Sequence, residues 1–159
     1  MLLLRTIAAL AAGFLAIATG MFLAIVAMWA GLGAKFAFEG TGSNASSGWA
    51  AGMLAGCFLG SLCSGFAVPV MFRREPRWGV LVTMSVAVLF TAVVIGLRIS
   101  QSPRPLPDGK TSSSLSFAEA GEFAVSPLWY FAALGPVNLV GAACGRKILR
   151  PRQNPHTSL

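Results

Sequence analysis

Acidic side chains are scarce in this 159-residue chain: there are five Asp and Glu in all, one histidine, one tyrosine and three cysteines. That scarcity removes most of the groups with which proteins perform acid–base and metal chemistry. A metal centre needs several His, Cys or carboxylate ligands brought together, and the lone histidine, His156, lies in the C-terminal tail. Neither haem ligation between helices nor a metalloenzyme site is expected, and no cofactor is. Cys57, Cys63 and Cys144 match no zinc or redox spacing, and thiols in apolar surroundings are poor nucleophiles. Phosphate-binding loops, dinucleotide fingerprints and nucleophile elbows are also lacking. Charged residues make up only 11% of the chain, against about 25% in an average soluble domain. An ordinary soluble domain and a disordered chain are both excluded.

What the chain has in excess is uninterrupted apolar sequence. Hydrophobic residues reach 55% and the mean hydropathy is +0.72. Four stretches, 6–34, 48–72, 78–97 and 123–145, contain no Asp, Glu, Lys, Arg or His. Crossing the hydrocarbon of a bilayer takes about 20 mostly apolar residues, and each stretch is long enough. A charge at the centre of any of them would cost about 2.5–3.5 kcal/mol. The pattern predicts an all-α polytopic membrane protein: a four-transmembrane-helix bundle forming one integral domain over 1–159, with a tail at 146–159. The first run is about twice the 7–15 residues of a signal-peptide core, so it is expected to stay as a helix. The third is rich in β-branched residues, which favour strands in water. In lipid every backbone group must bond within its own segment, and helix wins.

Four spans put the N-terminus, the 73–77 loop and the C-terminus on one side. That side holds Arg5, Arg73, Arg74, Arg77, Arg146, Lys147, Arg150 and Arg152 against Glu75. On the other side Lys35, Arg98, Arg104 and Lys110 are balanced by Glu39, Asp108, Glu119 and Glu122, so the whole net charge of +7 sits on the first face. Basic flanks stay cytoplasmic, which places both termini there. The same placement beside helix ends accounts for the pI near 10.4 without nucleic acid. A second use of Arg146, Lys147, Arg150 and Arg152 is an anionic lipid headgroup or partner site, each gaining about 1 kcal/mol near an anionic surface. Trp29, Trp49, Trp78, Trp129 and Tyr130 fall toward span ends, where amphipathic rings prefer the headgroup level.

Small residues four apart let membrane helices approach closely. The second span carries Gly48, Gly52, Gly56, Gly60 and Ser64 in one register. The first offers Ala8, Ala12, Ala16, Gly20 and Ala24, the third Gly79, Thr83, Ala87 and Thr91, and the fourth ends in Gly141 and Gly145. Two uses of the glycine face stand side by side: packing within one bundle, or a seam for a homo-oligomer or a membrane-protein partner. In the fourth span Pro127 sits in the first turns, and Pro136 removes a backbone hydrogen bond near the middle, where a kink is expected. Asn138, two residues on, is placed to bond a freed carbonyl or a neighbouring helix.

The loop at 35–47 is rich in Gly and Ser and reads as flexible; Asn44, Ala45 and Ser46 fit a glycosylation sequon. The loop at 98–122 opens with Pro103, Pro105 and Pro107 and reads as mobile, with a short interfacial turn at 115–122. Glu119 and Glu122 fit a helix start favoured by its dipole better than a paired-carboxylate site.

Arg5-Thr6-Ile7-Ala8-Ala9 running into Ala12-Gly13-Phe14, the glycines from Gly52 to Gly60, and Pro127-Leu128-Trp129 resemble a broad family of small, uncharacterised four-span bacterial inner-membrane proteins. The resemblance implies an inner-membrane location and brings no activity or functional residue with it. Proton-coupled carriers generally need an ionisable group within the membrane, and none is present in the spans. The leading expectation is a non-enzymatic accessory or assembly component acting through helix–helix contacts. The alternative is a small oligomeric transporter or pore, for which the polar residues Thr19, Ser61, Ser64, Thr83, Ser85, Thr91 and Asn138 are few and scattered. A lipid-modifying enzyme comes third.

Overall fold

The computed structural model describes residues 2–39, 43–72, 75–100, 110–111 and 114–148, with 98–100 and 121–122 by backbone alone. The chain is all-α: α1 is Leu2–Ala37, α2 Ser47–Met71, α3 Pro76–Ser100, α4 Phe117–Phe123 and α5 Leu128–Ile148. All but α4 are long and apolar enough to cross a membrane. Two isolated bridges, Phe38 with Ala45 and Asn44 with Val125, are the extended pairings among the described residues.

α1 and α3 overrun their uncharged stretches by up to about a turn at each end. α1 takes in Arg5 and Lys35, and α3 takes in Arg77 and Arg98. Charge is excluded from the hydrocarbon, not from the helix, so a charge-free window finds the span and misses its ends. Near its C-terminal end α1 breaks at Gly33, whose φ of 69° and ψ of −174° lie in a region that only glycine enters readily. The break turns the last residues of α1 toward Phe38, Ala45 and Trp49.

α2 starts on a Ser46 cap, whose hydroxyl accepts from the Trp49 N–H at 3.1 Å. It stops just beyond Pro69, where the Phe72 N–H bonds back to the Pro69 carbonyl at 3.0 Å. α3 opens on Pro76, whose missing N–H costs nothing in a first turn.

Around the fourth span the structure departs from the sequence reading. Phe123 closes the short helix α4, and α5 begins only at Leu128. Pro127 disfavours helical angles in the residue before it. Val125 instead lies extended: its N–H donates to Ser43 at 2.9 Å and its carbonyl accepts from Ala45 at 3.0 Å. The same bonds overturn the expectation of a flexible 35–47 loop. Its described part is further held by Glu39 N–H to Asn44 and Ser46 N–H to Ala37, both 2.9 Å, and by Ser47 on the Glu39 carboxylate at 3.1 Å. α5 continues unbroken through Pro136. The prolines at 103, 105 and 107 lie outside the described residues.

α2 is central, packed most extensively on α1 and next on α5, while α3 touches all three. The core is tiered. Ala9, Val68, Phe72 and Val82 fill the end that carries the start of α1 and the end of α5. Ile17, Cys57, Val86, Phe90, Tyr130 and Leu134 fill the middle, and Ala37, Phe38, Trp49, Leu115 and Ala120 fill the opposite end.

Candidate functional site

The glycine face of α2 looks inward onto α1. A Cβ at Gly60 would stand 2.6 Å from the Ala16 carbonyl oxygen, and one at Gly56 2.5 Å from the Ala24 Cβ. Gly20 answers from α1, with the Gly56 carbonyl 2.6 Å from its would-be Cβ. Toward the loop Gly52 meets Met28 and Gly48 meets the Phe36 ring, while Ser64 stands at the other end against Gly13. The opposite side of α2 is closed in the same manner by α5: Gly65 lies against Ala142, Gly141 against Phe58 and Gly145 against Leu62. Both flanks of α2 are thus used within one chain.

Ser61, Ser64, Thr83, Thr91 and Asn138 also turn inward. Asn138 on α5 is wholly buried, accepting from the Ser61 hydroxyl of α2 at 2.8 Å and donating to Thr91 of α3 at 3.3 Å. Thr91 in turn donates to the Ala87 carbonyl at 2.9 Å, and buried Thr83 to that of Gly79 at 2.7 Å. Asn138 therefore ties three helices together. Ser64 is buried with its hydroxyl unpartnered, while Thr19 and Ser85 face outward on α1 and α3.

A cavity of about 510 Å³ lies at the end of the bundle away from the termini. α1 supplies Met21, Phe22, Ile25 and Trp29, α2 Trp49 and Met53, α3 Val94 and Leu97, α4 Phe117 and Ala120, and α5 Tyr130 and Phe131. α1 and α3 are in contact where Phe14 meets Phe90, ring centroids 5.2 Å apart, and the cavity is lined further toward the loop end by Phe22, Ile25 and Trp29 of α1 and by Val94 and Leu97 of α3. Among the large apolar lining residues, Phe22 on α1 and Leu97 on α3 are 56% and 58% exposed, so the cavity reaches the outer surface of these two helices. Its hydroxyl-bearing lining residues are Ser126 and Tyr130. The Tyr130 hydroxyl is engaged with the Met21 sulfur at 3.8 Å.

The roof is α4, held by a capping box in which Ser116 and Glu119 bond each other's backbone N–H. Glu119 also pairs with Lys110. The Lys110 ammonium, followed by the Ser116 N–H and hydroxyl, pulls the Glu119 carboxyl down to about 2. Glu119 therefore serves as a cap, and the side chain of Glu122 lies outside the described residues.

Of the aromatics expected at the interface, Trp78 and Trp129 are exposed, but Trp49 and Tyr130 are buried and Trp29 is half-buried. Trp29 sits edge-on to Trp49 at 6.1 Å and to Phe117 at 5.5 Å. These rings stand at span ends, as expected, yet they line the cavity instead of facing lipid. Cys57 is buried, Cys144 half-buried and Cys63 exposed on the surface of α2, all three within helices long enough to span a membrane. Arg146 and Lys147 occupy the last turn of α5, where cations suit the helix dipole. Arg150, Arg152, His156, Arg73 and Arg74 lie outside the described residues.

No protein-family model, curated protein or solved structure matches the chain. The sequence singles out Trp29, Trp49 and Tyr130 as interfacial aromatics but does not announce the cavity that they line. Its one linear signal is the crowding of Trp29, Phe36, Phe38, Trp49, Phe117, Phe123, Trp129, Tyr130 and Phe131 at the same end of the spans.

Proposed function

We propose that this chain is a non-enzymatic integral protein of a bacterial inner membrane, both termini cytoplasmic, acting as an accessory or assembly component through contacts made in the bilayer. The observation that carries this reading is the inward turn of the polar groups. Ser61, Ser64, Thr83 and Asn138 are buried inside one chain, so apart from Thr19 and Ser85 the outer surface of the spans is largely apolar and suited to another helix. α1 offers most of it: it is the least covered span, with Leu3, Leu4, Ile7, Leu15, Leu23 and Val26 exposed. A pore built by oligomerisation needs a polar stripe on the outer surface instead, and Thr19 and Ser85 stand on different helices. The basic flanks support cytoplasmic termini, and the resemblance of the 5–14 segment to small inner-membrane proteins supports the location.

Native mass spectrometry of the protein extracted gently from its own membrane tests this. A stable partner protein is the expected result. A homo-oligomer without a partner overturns it in favour of the transporter or pore, to be followed by flux assays in liposomes.

A further inference from the structure

We infer that the cavity beneath α4 is a lateral binding site for one acyl chain of a bilayer phospholipid, taken from the leaflet opposite the chain termini. Four observations converge. Phe22 on α1 and Leu97 on α3 line the cavity and are exposed on two helices able to cross a membrane, so in a bilayer the surface beside them meets hydrocarbon. The walls are aromatic and aliphatic, and the deepest hydroxyl, that of Tyr130, already holds the Met21 sulfur. The other polar side chains of the wall are Ser126 and the indoles of Trp29 and Trp49, so most of its surface is apolar and offers few of the two to four polar partners that a water needs to settle in a cavity. The volume of about 510 Å³ lies within the range of small-molecule sites, roughly 300–1,000 Å³.

The roof adds the direction of approach. α4 turns Phe117, Ala118 and Ala120 toward the cavity, while Glu119 and Lys110 pair on its outer side. A short helix apolar beneath and charged above lies at headgroup level, so a chain entering between α1 and α3 keeps its headgroup beside that charged edge. Residues 21–29 of α1 give the site a depth of about 12 Å at 1.5 Å per residue. Occupancy is measured with no partner present, so its outcome is separate from that of the partner reading.

Trp49 is a built-in reporter: it lines the cavity and is only 7% exposed. The experiment uses the full chain with Trp29→Phe, Trp78→Phe and Trp129→Phe, reconstituted in phosphatidylcholine vesicles whose acyl chains are dibrominated. Bromine quenches indole emission on close approach. Emission from Trp49 is expected to fall at least twofold relative to unbrominated vesicles. Filling the space from either wall, by Val94→Phe or separately by Ile25→Phe, is expected to restore most of it with the helical circular dichroism unchanged. Two independent fillings guard against one of them failing to fold.

Unquenched emission in brominated vesicles overturns the proposal, as does equal quenching in the parent and both filled variants, which marks ordinary boundary lipid. Quenching by aqueous iodide instead identifies a water-filled cleft and also overturns it. Quenching by a brominated free fatty acid but not by brominated phospholipid rules out the phospholipid as the source.

Discussion

Gly56 has a carbonyl oxygen and a Cβ of α1 inside 3 Å of where a side chain would begin, and main-chain atoms cannot move aside cheaply. Gly56→Ile is therefore expected to destabilise the bundle by at least the 1–3 kcal/mol typical of overpacking, read as a lower thermal midpoint in detergent. Gly31→Ala is the control, because nothing stands within 4 Å of that position and its midpoint should be unchanged or slightly raised. An unaltered midpoint for Gly56→Ile would show that the close approach carries no stability. The four-residue spacing of Gly48, Gly52, Gly56 and Gly60 is legible in a single sequence, since 3.6 residues per turn put such positions on one helix face. Which neighbour that face meets is not legible, because it depends on Ala16, Gly20 and Ala24 arriving from another helix. Asn138 is similar: its polarity within a span is conspicuous, while its partners Ser61 and Thr91 lie 77 and 47 residues away.

The short helix α4 depends on electrostatics at its first turn, which makes it sensitive to acid. Glu119 in the folded chain has its carboxyl lowered from 4.5 to about 2, chiefly by Lys110 and then by Ser116. A depressed carboxyl stabilises the fold above its ordinary value, and the contribution is lost as pH falls from there through the folded value. The cap is thus expected to hold fully at neutral pH and to weaken between about 4.5 and 2. A carboxyl-carbon NMR titration of Glu119 should give a midpoint near 2, and Lys110→Ala should move it up toward 4.5; a midpoint already near 4.5 in the parent would sink the ion pair. A short turn at 115–122 is readable from Ser116 and Glu119 in capping-box spacing. What is not readable is the break at 124–127. There the backbone of Val125 pairs with Ser43 and Ala45, an agreement between two loops that neither announces alone.

At the scale of the whole molecule, local and non-local information separate cleanly. Each span is an apolar run that declares itself without reference to the others, so the count of membrane helices and the all-α class follow from hydropathy. The cavity is lined jointly by all five helices, and no window of sequence contains them together. Topology lies between the two kinds, since it needs only the parity of the spans and the basic flanks. Among the described residues Arg5, Arg77, Arg146 and Lys147 stand at the end shared by the start of α1 and the end of α5, while Lys35, Glu39, Lys110 and Glu119 stand at the other. Basic flanks resist translocation whereas acidic ones contribute little to orientation, so the first end is expected in the cytoplasm. With the native cysteines replaced by alanine, Ser43→Cys should react with a membrane-impermeant maleimide in intact cells, and Glu75→Cys only after the membrane is opened. Labelling of both in intact cells would break the four-span parity. The reverse pattern would keep the fold and invert it, moving the acyl-chain site to the cytoplasmic leaflet.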